Sequence, residues 1–344
     1  MRKFLHLFFC SYWILGFSQD PKQASVSQKT DAKIMYDINK YISAEAKDIT
    51  ENNYVEKVYE SIKHYNVEPI YYYRINKQNC IIEIFVNDVR DYKDFELSNL
   101  ITPEEIGNIL KSGPQKVTVK MYPVGNLLNE SWGKTDGKPM SELSENSEIY
   151  IEVISIDEKS PKGLNDEKEI IKITSPKEAT GKNYYEFSFT FNAEVHYQFE
   201  GWTQGQNLTK LDQNLVRKKA LEYYKMAGEV IVNKDLDTWL KFQYPSEKRI
   251  MGSTYIDKNY LDELLAEYKK KIKQQDYEVL PIPDFDVQFL GDGKLVWLRK
   301  KSNKVSERKS ILGLKYDEGI YYPGITLYIP EGRNLATQGF MMWK

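Results

Sequence analysis

Histidine and cysteine are scarce. The 344-residue chain holds three histidines (His6, His64, His196) and two cysteines (Cys10, Cys80). Neither His64 nor His196 has a second histidine or a cysteine at ligand spacing, which argues against a zinc site. A Ser-His-Asp triad would have to recruit one of them, and no G-x-S-x-G sequence exists. The P-loop, the G-x-G-x-x-G fingerprint and the EF-hand loop are missing too, so no cofactor or metal is expected. Positive charge is not in excess: 48 Lys and Arg face 50 Asp and Glu, which is no footprint for nucleic acid. Long apolar runs are confined to the N-terminus, so no membrane span is expected beyond it.

That N-terminal run, residues 1–18, has the anatomy of a secretory signal. Arg2 and Lys3 supply the positive start and Phe4 to Phe17 the apolar stretch. Gly16 and Ser18 are the small residues before a cut at Gln19. Cys10 follows Phe8-Phe9 inside the stretch, which disfavours a lipoprotein. The expectation is an exported chain, periplasmic or at the cell surface. Removing 1–18 takes away Arg2, Lys3 and no acidic residue, so the net charge of −2 becomes −4. It also leaves Cys80 alone, so stability must come from burial without an internal disulfide. Cys80 reads as a small buried hydrophobe, with no histidine or basic cluster beside it in sequence.

Residues 19–30 are polar and aperiodic and read as a tether. Ile34, Ile38, Tyr41 and Ile42, then Val55, Val58, Tyr59 and Ile62, recur at helical spacing. They predict one or two helices that complete a segment 19–66, packed on or leading to the first sheet. Ile70 to Ile75 and Cys80 to Val86 are strand-like runs around the turn residues Asn76 to Asn79. Thr102-Pro103-Glu104-Glu105 predicts a short helix start. Lys116 to Tyr122 alternates, with Val117, Val119 and Met121 facing in. Residues 123–147 form a long loop, and Ile149 to Val153 and Ile170 to Ile173 are further strands.

The clearest signal is Glu186 to Phe199, EFSFTFNAEVHYQF, with one Phe-rich apolar face and one polar face. As a single strand it would extend about 46 Å, so a bend or bulge is expected within it. The 26 tyrosines suit half-buried sheets and contact surfaces. Half-polar strands with few helices between them predict an antiparallel β-sandwich over 67–204. Within it, Val86-Asn87-Asp88, Leu110 to Gly113 and Val117 to Met121 form a strand, turn and return. This stretch, Ile81 to Tyr122, resembles jelly-roll β-sandwiches of the galactose-binding-like type. The resemblance implies that topology and carries no sugar or calcium residues.

After Gly201-Trp202 the period changes. Asp212 can cap a helix to about Val232, with Val216, Ala220, Tyr223, Ala227 and Val230 on its apolar stripe. Leu236 to Phe242 reads as a short second helix. Asp257 caps a third, whose Lys269, Lys270, Lys271 and Lys273 suit the C-terminal end of a helix dipole. Strands follow around Asp292-Gly293 and Asp317-Glu318-Gly319, with Gly339 to Trp343 closing. Helices followed by a meander, with the hairpin ILGLKYDEGIYYPGI, resemble the NTF2-like α+β cone over 212–344. That resemblance implies a curved sheet around a pocket, on a fold that hosts both enzymes and binding domains.

The predicted fold is therefore multi-domain, a β-sandwich followed by an NTF2-like α+β domain. Asp284 and Asp286 share a strand face, as do Glu186, Glu194 and His196; such carboxylates serve glycoside chemistry or simply face solvent. Tyr223, Tyr224, Trp239 and Trp297 belong to elements that would line the NTF2-like pocket and are the ligand-binding candidates; no catalytic residue is assigned. Trp202 falls on the polar side of the long strand and is expected between the two domains. The balance favours binding over catalysis: an exported interaction protein of a Gram-negative envelope, immunity-like or envelope-associated, with a protein partner or a small polar or glycan ligand. The alternative is a carbohydrate-binding protein or carbohydrate-active enzyme using these carboxylates and aromatics. Exposure separates the two, since Asp284, Asp286 or His196 enclosed beside Trp297 would favour the enzyme.

Overall fold

The structure, a computed structural model, describes residues 36–344 apart from 98, 100, 101, 134–136, 161–165 and 198–201. The leader 1–18, the tether 19–30, Ile34, Phe199 and Gly201 lie outside the described residues. Helix and strand are mixed in four antiparallel sheets, with the long helices in the C-terminal half. Among the described residues no helix is long and apolar enough to cross a membrane.

Two 3-10 turns, Ile38–Tyr41 and Ala44–Ala46, precede helix α1 (Tyr54–Ser61). Val55 and Val58 are buried as their spacing predicts, whereas Tyr59 is exposed. Helix α1 leads into the first strand but rests on the C-terminal helices. Tyr54 meets Tyr268 edge-on at 6.3 Å, and the Tyr244 hydroxyl donates to the Lys57 carbonyl at 3.3 Å. Glu45 and Glu51 pair with Lys248 and Lys273, each at 2.6 Å.

The first sheets hold β1 (Pro69–Gln78), β2 (Cys80–Val86), β3 (Val89–Asp94), β4 (Thr102–Ile106) and β5 (Gly113–Pro123). After helix α2 (Leu127–Ser131) come β6 (Glu148–Asp157), β7 (Lys168–Thr174) and β8 (Tyr185–Ala193). Their orders are β4-β1-β6-β7 and β3-β2-β5-β8. The chain changes sheet at Asn79, whose φ of 47° lies in the left-handed region that asparagine tolerates. From β1, Tyr71 reaches Phe191 and Lys77 reaches Asp94, so the two sheets face one another. Val117, Val119, Met121, Ile149, Ile151 and Val153 are fully buried.

Two local expectations change: Asn76 to Gln78 extend β1 and leave only Asn79 as the turn, and the helix start at Thr102 is absent. Thr102–Ile106 is a strand, paired antiparallel with Tyr71 to Ile75, and not a helix start. It is the outermost strand of its sheet, where Pro103 can forgo a ladder hydrogen bond. The long strand leaves its ladder after Ala193, although burial still alternates to Tyr197. There the Glu194 N–H donates to the Tyr71 hydroxyl (2.7 Å) and the Val195 N–H to Ser112 Oγ (3.0 Å). Side chains thus replace a neighbouring strand at the expected break.

A register shift between Ile84 and Phe85 leaves Asp91 without a β2 partner. Such a bulge re-aims one side chain, and Asp91 faces Tyr73 of β1 while Arg90 stays beside Glu83 on the outer face.

In the C-terminal half lie α3 (Gln213–Val232), α4 (Leu236–Thr254) and α5 (Lys258–Lys273). Asp212 Oδ1 accepts from the N–H groups of Asn214 (2.8 Å) and Leu215 (3.1 Å), and Asp257 Oδ1 from that of Tyr260 (3.0 Å). Helix α4 runs well past Phe242, straight through Pro245. Proline opposes a helix interior, but Phe242, Tyr244 and Met251 are all buried, and tertiary burial holds the turn.

The remaining elements are β9 (Glu278–Val279), β10 (Phe285–Leu290), β11 (Leu295–Lys300), β12 (Leu314–Tyr316), β13 (Gly319–Tyr321), β14 (Leu327–Tyr328), α6 (Leu335–Gln338) and β15 (Met341–Met342). They form sheets β10-β11-β14-β15 and β13-β12-β9. A Cβ at Gly228 would lie 2.9 Å from Leu312 Cδ1, so glycine permits the close approach of α3. The two halves meet where the Gly291 N–H donates to the Asp88 carbonyl (3.0 Å) and the Asp292 N–H to Asp88 Oδ2 (2.9 Å).

Candidate functional site

The aromatic candidates are buried and dispersed. Tyr223 sits between Tyr41, edge-on at 5.4 Å, and Phe242 at 5.7 Å. The Tyr224 hydroxyl accepts from the Leu298 N–H (3.1 Å) and donates to the Ile325 carbonyl, tying α3 to β11. Burial holds both phenols well above their usual range. Trp239 is buried in α4, and Trp297 is covered by the Arg90 guanidinium 4.2 Å above its ring. Trp202 packs edge-on against Trp343 at 6.5 Å and beside Gly291, near the seam between the halves. A cleft of about 240 Å³ lies elsewhere, between Gln206, Leu211, Asp212, Arg333 and Leu335, and none of these five aromatics lines it.

Asp284, Glu186 and Glu194 point outward, whereas Asp286 is half-buried opposite Arg299. Asp284 is 77% exposed, with Lys301 at 3.9 Å. Glu186 stands 3.8 Å from Lys120 and accepts from the Tyr184 hydroxyl.

His64 and His196 come together at one corner through Tyr65. The Tyr65 ring stacks on His196 at 4.6 Å and meets Tyr255 edge-on at 6.3 Å. Next to it the buried Glu68 accepts from His64 Nδ1 (3.0 Å) and from the Tyr65 N–H (2.9 Å), with Lys159 Nζ at 3.5 Å. A carboxylate on Nδ1 fixes the tautomer and leaves Nε2 as the outward nitrogen. Burial, and then Glu68, hold the Tyr255 hydroxyl above its usual range, so it is a hydrogen-bond donor at neutral pH. Among the described residues no three His, Cys, Asp or Glu are arranged to hold a metal ion.

A second feature lies in the loop between β5 and β6. Trp132 is 73% exposed and Leu128, one helical turn earlier, 39%. The loop beneath them is tied down. Gly125 and Met140 exchange backbone hydrogen bonds at 3.0 and 2.8 Å, and the buried Asn129 amide donates to Asn126 Oδ1 (2.8 Å) and the Gly137 carbonyl (2.9 Å). An exposed indole on a braced loop is a recurrent recognition element. The signal was present in sequence as an aromatic and a leucine four apart inside a polar segment, but the segment's glycines and serines mark it only as loop. Comparison with protein-family models, curated proteins and solved structures finds no match for this chain.

Proposed function

We propose that this is an exported binding protein, acting in the periplasm or at the surface of a Gram-negative cell, that engages a protein partner through the Trp132 loop. The proposal includes its architecture: a β-sandwich over 67–204 and an NTF2-like α+β domain over 212–344. The observation that carries the binding reading is the exposed indole of Trp132, fixed over a hydrogen-bonded base. Exposed Asp284, and His196 stacked at the surface, support contact with a partner over an enclosed catalytic centre. The role fits an immunity-like or envelope-associated factor. A glycan is the competing occupant, because an exposed indole also stacks on sugar rings.

The test is a pull-down from envelope extract with the mature chain and with Trp132→Ala, read by mass spectrometry beside a glycan array. The expected result is a protein recovered by the wild type and lost with the variant. Array binding that depends on Trp132, with no protein recovered, would replace the protein partner by a carbohydrate.

A further inference from the structure

A separate feature, independent of the Trp132 loop, lies where the outer face of β2 and β3 meets β10 and β11. Glu83 is buried there, and both its oxygens are occupied. Arg90 Nη1 donates to Oε1 (3.3 Å) and the Tyr122 hydroxyl to Oε2 (3.0 Å). Lys93 is the cross-strand neighbour of Glu83. Arg299 stands opposite Asp286 on one side and Ser310 on the other, so these three side chains share a face. Arg308 acts electrostatically on Arg299, and Lys309 on Lys93. Glu83 and Asp286 thus face Arg90, Lys93, Arg299, Arg308 and Lys309. The nearby Glu307 is engaged by Lys300 at 3.5 Å and the Ser302 hydroxyl at 3.1 Å.

Two donors at this seam are left over. Arg299 Nε and Ser310 Oγ are buried and make no hydrogen bond among the described residues, and Ser310 is only 6% exposed. A buried donor without an acceptor is costly, and two on one face, with the Arg308 and Lys309 charges close by, form the complement of an anion. Arginine offers a planar fork for two oxygens and lysine a mobile point charge, a set suited to phosphate. Gln288 lies on the same face, two residues from Asp286, and its buried Oε1 has no partner either. That acceptor suits a hydrogen phosphate, which carries a proton to donate, and not sulfate, which carries none at neutral pH. Burial, then the neighbouring cations, pushes Lys93 down to about 8 and lowers Arg299 and Lys309 as well. A bound dianion would relieve that crowding.

We propose that this seam binds a phosphate group, as inorganic phosphate or as a phosphate monoester, on Arg299, Ser310 and Lys93, with Arg308 and Lys309 at its rim. Calorimetric titration of the full chain with inorganic phosphate, sulfate and phenyl phosphate tests it. Phosphate is expected to bind more tightly than sulfate. Arg299→Gln and Ser310→Ala should each weaken binding roughly tenfold or more, while Lys270→Gln on α5 leaves it unchanged. Tighter binding of phenyl phosphate identifies a monoester as the ligand, and weaker binding the free ion. No heat with either phosphate at millimolar concentration, or undiminished affinity in Ser310→Ala, which removes one oxygen and no bulk, overturns the site. Equal affinity for sulfate overturns the phosphate assignment.

Discussion

Asp91 should make the stability of this protein fall between acid and neutral pH. The bulge in β3 turns it inward against Tyr73, and its Oδ2 is buried without a hydrogen bond among the described residues. Burial pushes its carboxyl up to about 7; Lys344 and the Tyr73 hydroxyl pull the other way, and Glu104 adds to the rise. In the unfolded chain an aspartate titrates near 3.9. The folded state therefore holds this proton the more tightly. The resulting stabilisation is complete below about pH 4 and is lost as pH rises through about 7. At roughly 1.4 kcal/mol per tenfold in proton affinity, it amounts to about 4 kcal/mol. Asp91→Asn keeps the shape and removes the titration. Urea denaturation of both proteins across about pH 4 to pH 9 isolates this group, because other titrations cancel in the difference. The variant's relative stability should rise with pH by about 4 kcal/mol over that range. A difference that stays flat with pH would refute the reasoning.

Three further outcomes are expected. Lys77 and Asp94 pair at 3.2 Å with 2% and 8% exposure, so Asp94→Ala should cost about 3 kcal/mol by leaving the buried ammonium, still bonded to the Cys80 and Glu96 carbonyls, without its counter-charge. The double change Lys77→Met with Asp94→Leu should cost less than that single one, and additive effects in a urea double-mutant cycle would count against the pair. Asp212→Ala removes the side chain that accepts two N–H groups at the start of α3 and should lower stability by about 1 kcal/mol, measured by thermal unfolding. Burial pushes the Cys80 thiol up to about 12, so an aromatic disulfide reagent should label it near neutral pH only in urea. Labelling of the native protein at the rate of a free thiol would contradict that.

Local signals were legible wherever local chemistry decides the structure. Asp212 and Asp257 cap α3 and α5 as their positions before apolar stripes suggest. The alternation of Val117, Val119 and Met121 gives the inward face of β5. Signals failed where a partner distant in sequence decides. Thr102-Pro103-Glu104-Glu105 carries helix-start chemistry, yet pairing with Tyr71 to Ile75 makes it a strand. Leu236 to Phe242 reads as a short helix, but buried neighbours on both sides of Pro245 carry α4 on to Thr254. The candidate site was the least legible part. Tyr223, Tyr224, Trp239 and Trp297 were singled out for being large and aromatic, properties that a core and a pocket demand alike. The Arg299 and Ser310 juxtaposition depends on a bridge between segments that no spacing reveals.

The contacts of α1 bear on how the chain can be made and divided. Tyr54, Val55 and Val58 leave the ribosome early, and the helices that cover them leave only after all of β1 to β8. During that interval the apolar face of a short amphipathic helix has no partner and is a natural substrate for a holding chaperone. Nor does Trp202 mark a place to cut. A fragment ending there keeps α1 without its cover, and one beginning there exposes the surfaces of α4 and α5 that α1 shields. Each piece would carry one half of a single interface, so co-expression of both halves should restore solubility that neither has alone.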